Sequence, residues 1–318
     1  MSEHDNQVPS TLVAVGTKPL VVRSATLVKR GLALAKSLPR SEGKLTPSER
    51  QALLEAMDED FRYSVMAHVS LGVALGNKGD LDRAIAEFRE ALRLNSNNDN
   101  AHYCLGVALG SKGDLDGAIA EYREALRLNP KNENAHYNLG VALYDKDDWD
   151  GAVAEYREAL RLNPNNDMTH ANLGVALGHK GDWDGEIDEQ RVALRLNPNN
   201  HIAHDNLGVA LGHKGDLDGA IAEYREALRL NPNFAEAHCS LGLALGRKGN
   251  LNGMIAEERE ALRLNPNSAH AHYNLGVAFE HMHNPQAALQ EFRSAYELNP
   301  QDPDYSRDYE RLLKKTRQ

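Results

Sequence analysis

Residues 101–134 of the chain read AHYCLGVALGSKGDLDGAIAEYREALRLNPKNEN, and variants of this stretch fill most of the sequence. The Leu105-Gly106 pair within it returns every 34 residues. Seven glycines occupy this position: Gly72, Gly106, Gly140, Gly174, Gly208, Gly242 and Gly276. An alanine and a proline in the second half of the stretch return at the same interval. A fixed period of this length predicts seven tandem structural repeats over residues 65–302.

Each repeat has the hydrophobic spacing of two short helices. In residues 101–128, apolar side chains stand three and four positions apart in both halves, as in helices that bury one face. Gly113 separates the halves, Asp116 is placed to cap the second helix, and Pro130 follows its end. A single hairpin cannot bury its own apolar face, so the repeats must stack on one another.

The combination of Leu105-Gly106, Ala118, Tyr122 and Pro130 resembles the tetratricopeptide repeat. The resemblance implies an all-α fold, a right-handed superhelical solenoid of helix-turn-helix repeats. It also implies a concave groove lined by the first helix of each repeat. The flanking residues add a predicted capping helix at each end.

Two of the seven repeats depart from this pattern. The alanine position of their second helix holds Glu186 and Met254, and the aromatic position holds Gln190 and Glu258. These substitutions predict looser packing of both repeats.

The flanking segments divide into three parts. Residues 1–17 are predicted to be a flexible N-terminus, and residues 18–64 to form amphipathic helices that cap the array or dock on it. One of these helices should begin near Thr46-Pro47, which has the pattern of an N-cap followed by proline. Residues 303–318 are predicted to form a C-terminal capping helix with one apolar face.

The first amphipathic stretch, residues 18–38, is basic. Between Asp5 and Glu42 there are positive charges but no acidic residue. One interpretation is that this segment docks on the acidic repeats of the same chain. The alternatives are that it binds an anionic membrane surface, a groove of a partner protein, or a second copy of the chain.

Composition excludes several classes of protein. The 318 residues carry a formal net charge of −10, which argues against a nucleic-acid binder. No apolar run is long enough to cross a membrane and the N-terminus lacks a signal-peptide pattern, so we predict a cytoplasmic protein. Cys104 and Cys239 form no CxxC pair, and we predict neither a metal site nor a cofactor.

A complete column of histidines recurs with the repeat: His68, His102, His136, His170, His204, His238 and His272. Equivalent atoms in stacked repeats should lie roughly 8–10 Å apart. Two nitrogens that bind one zinc ion must lie within about 4 Å of each other. We therefore predict that these imidazoles are packed and hydrogen-bonded rather than metal-binding.

The predicted groove has its own columns of side chains. The asparagine column consists of Asn138, Asn172, Asn206 and Asn274. An asparagine amide can pair with the backbone of an extended peptide without selecting its side chains. The column resembles the asparagine ladder in the repeat domain of O-linked N-acetylglucosamine transferase, although it is also compatible with ordinary surface residues.

The other predicted groove residues are Tyr103, Tyr137, Val107, Val141, Val175, Val209, Tyr144, His179 and His213. Such a floor is apolar and nearly uncharged, which favours an extended, mildly hydrophobic peptide. The family's clamp for a C-terminal carboxylate is disfavoured, because Arg247 is an exception among these mainly uncharged positions.

These patterns predict a non-catalytic scaffold or adaptor that binds a protein or peptide partner of unknown identity. An enzyme would need a nucleophile, an acid-base pair or a cofactor site in the flanks, where no catalytic motif is found. Two alternatives stay open: a membrane-surface or self-association tether that uses the basic segment, and the regulatory part of an enzyme complex.

Overall fold

The computed structural model describes residues 65–316, and all regular structure in this range is α-helical. The helices of the described range are α1 Val65–Asn77, α2 Leu81–Leu94, α3 Asp99–Ser111, α4 Leu115–Leu128, α5 Glu133–Tyr144, α6 Trp149–Leu162, α7 Asp167–His179, α8 Trp183–Leu196, α9 His201–His213, α10 Leu217–Leu230, α11 Ala235–Arg247, α12 Leu251–Leu264, α13 Ala269–His281, α14 Pro285–Leu298 and α15 Pro303–Thr316. We number the repeats 1 to 7, from the α1/α2 hairpin to the α13/α14 hairpin.

These helices belong to two compact units that divide within α7. The N-terminal unit contains residues 65–176 of the described range, and the C-terminal unit contains residues 177–316. In each unit the two helices of a repeat pack together, and its second helix packs on the first helix of the next repeat. The predicted all-α solenoid of stacked helical hairpins is confirmed.

The predicted N-cap of the second helix is wrong by two residues. Asp114 rather than Asp116 caps α4, since its Oδ1 accepts a hydrogen bond from the Gly117 backbone N–H at 2.9 Å. Gly113 has a φ of +89° and reverses the chain immediately before this cap. Asp116 instead forms an ion pair with Lys146 of the next repeat. The turn therefore ends earlier than the apolar spacing alone indicates.

The recurring Leu-Gly pair lets an aromatic ring of the second helix pack directly on the backbone of the first. A Cβ atom on Gly106 would lie only 2.7 Å from Cδ1 of Tyr122. Four further glycines meet a ring in the same way: Gly72 with Phe88, Gly140 with Tyr156, Gly208 with Tyr224 and Gly276 with Phe292. The glycine column thus exists because the helices of one repeat approach closely there.

Polar residues enter the core where the repeat pattern changes. Glu186, Gln190 and Glu258 are fully buried, and Met254 is 3% exposed. The burial of these four side chains is observed, and looser packing of the two repeats stays a prediction.

Helix α15 closes the C-terminal unit. Tyr305 and Leu312 are buried in a cluster with Phe292 of repeat 7, whereas Lys314 and Lys315 of α15 are exposed. The predicted capping helix at residues 303–318 thus has a helical counterpart at 303–316. The predictions for residues 1–17 and 18–64 lie outside the described residues.

Candidate functional site

The first helices of the N-terminal unit present the residues predicted to line a groove. Val107 of α3 is 7% exposed, whereas Asn138, Val141 and Tyr144 of α5 are half-buried. Residues three positions apart are neighbours on a helix surface. Asn138, Val141 and Tyr144 therefore form a continuous strip, which we call the α5 strip. It combines an amide, an aliphatic side chain and a phenol.

The asparagines of this unit also connect successive repeats. The Nδ2 atom of Asn138 donates a hydrogen bond to the Tyr103 hydroxyl at 3.1 Å. Asn172 donates in the same way to the Tyr137 hydroxyl at 3.0 Å. Each asparagine thus holds a tyrosine that lies 35 residues earlier, in the preceding repeat. Tyr103 and Tyr137 are themselves buried, so their rings belong to the core beneath the predicted groove.

The four asparagines differ in their exposure. Asn172 and Asn206 are fully buried, and Asn274 is 6% exposed. Asn274 donates a hydrogen bond to Oε1 of Glu258 at 2.8 Å. A continuous ladder with one peptide contact per repeat stays a prediction, and Asn138 is the member with the most open surface. Sequence reasoning missed the hydrogen bonds between repeats, although the 35-residue Tyr-Asn spacing was visible.

In the C-terminal unit, polar side chains lie at the C-terminal ends of the first helices. The His213 ring stacks on the indole of Trp183, with ring centroids 3.8 Å apart and planes within 3°. Nη1 of Arg247 donates a hydrogen bond to the Gly212 carbonyl at 3.4 Å, so the guanidinium lies next to His213. His179 is half-buried and Val209 is 4% exposed. Val175, which belongs to the N-terminal unit, is fully buried.

The histidine column is packed and hydrogen-bonded, as predicted. In His136, Nδ1 lies 2.6 Å from Oε2 of Glu155, and Nε2 lies 3.1 Å from the Pro130 carbonyl oxygen. The same pairing with a glutamate 19 residues later occurs for His68, His102, His204, His238 and His272. These glutamates, one in the second helix of each repeat, thus join the two helices of each of these repeats.

Protonation of His136 and His238 is favoured by their oxygen partners. For His238 the hydrogen bond with Glu257 is the main cause that raises the imidazole pKa above its ordinary value. For His136, burial acts to lower the pKa, but Glu155 and the Pro130 carbonyl outweigh it and the net shift is upward. An imidazole ring with an acceptor beside each nitrogen can donate a hydrogen bond to both acceptors only in its protonated form, the imidazolium.

Within residues 65–316, no group of three or more His, Cys, Asp and Glu side chains is placed to hold a metal ion. No helix of this range is both long and apolar enough to span a bilayer.

Family models match most of the repeat array. A model described as TPR repeat matches residues 72–113, 109–147, 142–181 and 212–249. A second, described as tetratricopeptide repeat, matches residues 255–303. The chain belongs to the tetratricopeptide repeat family. Tetratricopeptide repeat proteins generally mediate protein–protein interactions.

Solved tetratricopeptide repeat structures share this fold at low identity. A tetratricopeptide repeat protein from Parabacteroides merdae is 15% identical with a TM-score of 0.64, over 78% of this chain and 98% of that chain. Pseudomonas aeruginosa pilF is 21% identical with a TM-score of 0.57, over 65% of this chain and 94% of that chain. A chain of the APC/C hetero-tetramer Cut9-Hcn1 is 17% identical with a TM-score of 0.64, over 89% of this chain and 55% of that chain. None of the curated proteins compared with the chain matches it.

Proposed function

We propose that the chain is a non-catalytic scaffold that binds an extended peptide segment of a partner protein along the first-helix face of its repeats. The observation that carries this proposal is the α5 strip of Asn138, Val141 and Tyr144, whose three side chains are all half-buried. Membership of a family that binds proteins supports the class of partner.

The chemistry of the strip suits a peptide backbone. One amide hydrogen of Asn138 is used by Tyr103, which fixes the side chain. Its Oδ1 atom has no hydrogen-bond partner among the described residues and can accept from a peptide N–H. Val141 supplies an apolar contact three positions away, so an extended chain would receive one polar and one apolar contact from the same helix.

A matched pair of substitutions tests the proposal on the full chain. Peptides are first selected with the wild-type protein from a phage-displayed library of random dodecapeptides, then synthesised with a fluorescent label. Val141→Glu places a charge on the α5 strip, whereas Ala154→Glu places the same charge on the exposed face of α6. Binding is measured by fluorescence anisotropy, and folding by circular dichroism.

We expect Val141→Glu to weaken Kd at least about tenfold, which corresponds to about 1.4 kcal/mol. Ala154→Glu should change Kd by less than about twofold. Selected peptides that bind both variants as tightly as wild type would place the binding surface elsewhere. A library that yields no binder at all would contradict peptide recognition by this face.

A further inference from the structure

Two acidic residues occupy core positions that are aromatic in other repeats. Asp205 of α9 stands where repeats 2, 3 and 7 have Tyr103, Tyr137 and Tyr273. Glu258 of α12 stands where repeats 2, 3 and 5 have Tyr122, Tyr156 and Tyr224. Both acidic side chains are fully buried in the C-terminal unit. The peptide-binding proposal uses neither of them.

Asp205 is enclosed without a cationic partner. Neither of its carboxyl oxygens makes a hydrogen bond within the described residues. The polar or titratable groups nearest to the Asp205 carboxyl are Ser240 and Glu236 of α11 and Tyr224 of α10. Arg247 of α11 and Glu186 of α8 lie next to Tyr224. The Ser240 hydroxyl is also buried without a partner, so a protonated Asp205 has an acceptor beside it.

Glu258 has a similar but partly satisfied environment. Its Oε1 atom accepts the hydrogen bond from Asn274, while Oε2 is buried without a partner in the part of the chain that the structure describes. Cys239 of α11 and Glu257 of α12 are the other titratable groups beside it. No cation faces this carboxyl among these neighbours.

An ionised carboxylate in such a site loses its hydration and gains no opposite charge, so the neutral acid is the form that can be buried. We propose that Asp205 and Glu258 form a pH-sensitive switch that controls how tightly the helices of repeats 5 and 6 pack. Protonated, they are packed in the core; ionised, they loosen helices α9 to α12. Acidic conditions therefore tighten the C-terminal unit and alkaline conditions open it.

The direction and range of the titration support this device. Burial raises the pKa of Asp205 from its ordinary 3.8 to about 7, and raises the pKa of Glu258 from 4.5 to about 8. In both cases the folded chain binds protons more tightly than the unfolded chain. Stability therefore falls as pH rises from about 4 to about 8, and the loss is complete above that range.

Amide hydrogen exchange of the full chain tests the proposal. The double variant Asp205→Asn, Glu258→Gln keeps the shape of both side chains but cannot ionise. A control double variant, Asp188→Asn, Asp216→Asn, removes two negative charges from exposed sites in the same unit. Asn250 caps α12 with its side-chain oxygen in the same way as Asp216 caps α10, so an asparagine at position 216 retains the helix cap.

The exchange rate of wild type relative to the buried-acid variant is compared at pH 5.5 and pH 8.5. For α9 to α12 this ratio should rise at least about tenfold between the two values, because each unit of pKa shift is a factor of ten. Helices α1 to α6 should show no change. The ratio of wild type to the control variant should stay constant throughout.

A ratio that does not change with pH would overturn the proposal. Should the buried-acid variant fail to fold, carboxyl ¹³C NMR of the wild-type chain decides the question by itself. Titration of Asp205 near pH 7 and of Glu258 near pH 8 supports the device, and midpoints below pH 5 refute it.

Discussion

At the scale of single residues, two glycines of α3 have opposite roles. A Cβ atom on Gly106 would lie 2.7 Å from two ring carbons of Tyr122, a distance that real Cβ atoms do not adopt. A Cβ atom on Gly110 would meet Cβ of Ala118 at 3.6 Å and the Tyr122 hydroxyl at 3.8 Å, which are ordinary contacts. One glycine is therefore required by packing, and the other leaves room for a methyl group between α3 and α4.

This difference predicts opposite effects of the same substitution. Gly106→Ala should lower the free energy of unfolding by about 1–3 kcal/mol, because the ring of Tyr122 must move. Gly110→Ala should leave it unchanged or raise it by up to about 1 kcal/mol, because alanine favours the helix. Urea unfolding followed by circular dichroism measures both. Equal effects of the two substitutions would show that the ring contact does not limit position 106.

At the scale of the helical hairpin, the histidine–glutamate pairs link the two helices of a repeat. In repeat 3 the pair is His136 of α5 and Glu155 of α6, with a side-chain exposure of 12% for the histidine. The Pro130 carbonyl holds the other ring nitrogen, so the same imidazole also contacts the segment before its own repeat. The pair thus holds the two helices of the hairpin together and also fixes the segment that precedes them.

The His136–Glu155 pair predicts that stability falls as pH rises above 6.5. The pKa of His136 is raised in the folded chain above its ordinary 6.5. The stabilisation is therefore fully present below pH 6.5 and is lost as pH rises through the folded pKa. Glu155→Gln should lower the His136 pKa, which NMR titration of the ring measures directly. Glu226→Gln, in the other unit, is the control and should leave that pKa unchanged.

At the scale of the whole molecule, stability within each unit depends on contacts between adjacent repeats. Ion pairs join successive turns, as in Lys112 with Asp82 and Lys214 with Asp184. Such exposed pairs contribute at most about 1 kcal/mol each. Most of the coupling must come from buried contacts, and the last repeat depends on α15 for them. Tyr305 provides one, with its ring centroid 4.9 Å from that of buried Tyr273.

Removal of α15 should therefore destabilise the end of the array. A chain that stops at residue 302 loses the buried side chains of Tyr305 and Leu312, each worth about 1.5–3 kcal/mol. We expect faster amide exchange in α13 and α14, and unchanged exchange in α1 to α6. The substitution of Lys314 and Lys315 by glutamine, both exposed, is the matched control and should leave all rates unchanged. Unaltered protection of α14 in the shortened chain would contradict a capping role.

The amino-acid sequence by itself determined the number of repeats, the two helices of each repeat and the packed state of the histidine column. These features depend on spacing along one chain segment, because the helical period and the glycine and proline positions are local. The family resemblance followed from the same local pattern. The predicted position of the helix cap was wrong because Asp114 and Asp116 offer the same carboxylate to cap a helix. The conformation of Gly113, which the sequence does not give, decides which of the two lies at the helix end.

Only the tertiary structure decided which columns meet. Tyr103 and Asn138 are 35 residues apart, and His136 and Glu155 are 19 apart. Any two columns that share the 34-residue period keep a constant separation in sequence, whether or not their side chains touch. Periodicity therefore cannot show which columns are in contact. The same limit applies to Asp205 and Glu258, whose burial depends on neighbouring helices rather than on their own segment. Local spacing specifies helices, whereas the packing of one helix on the next determines which polar groups lose their water.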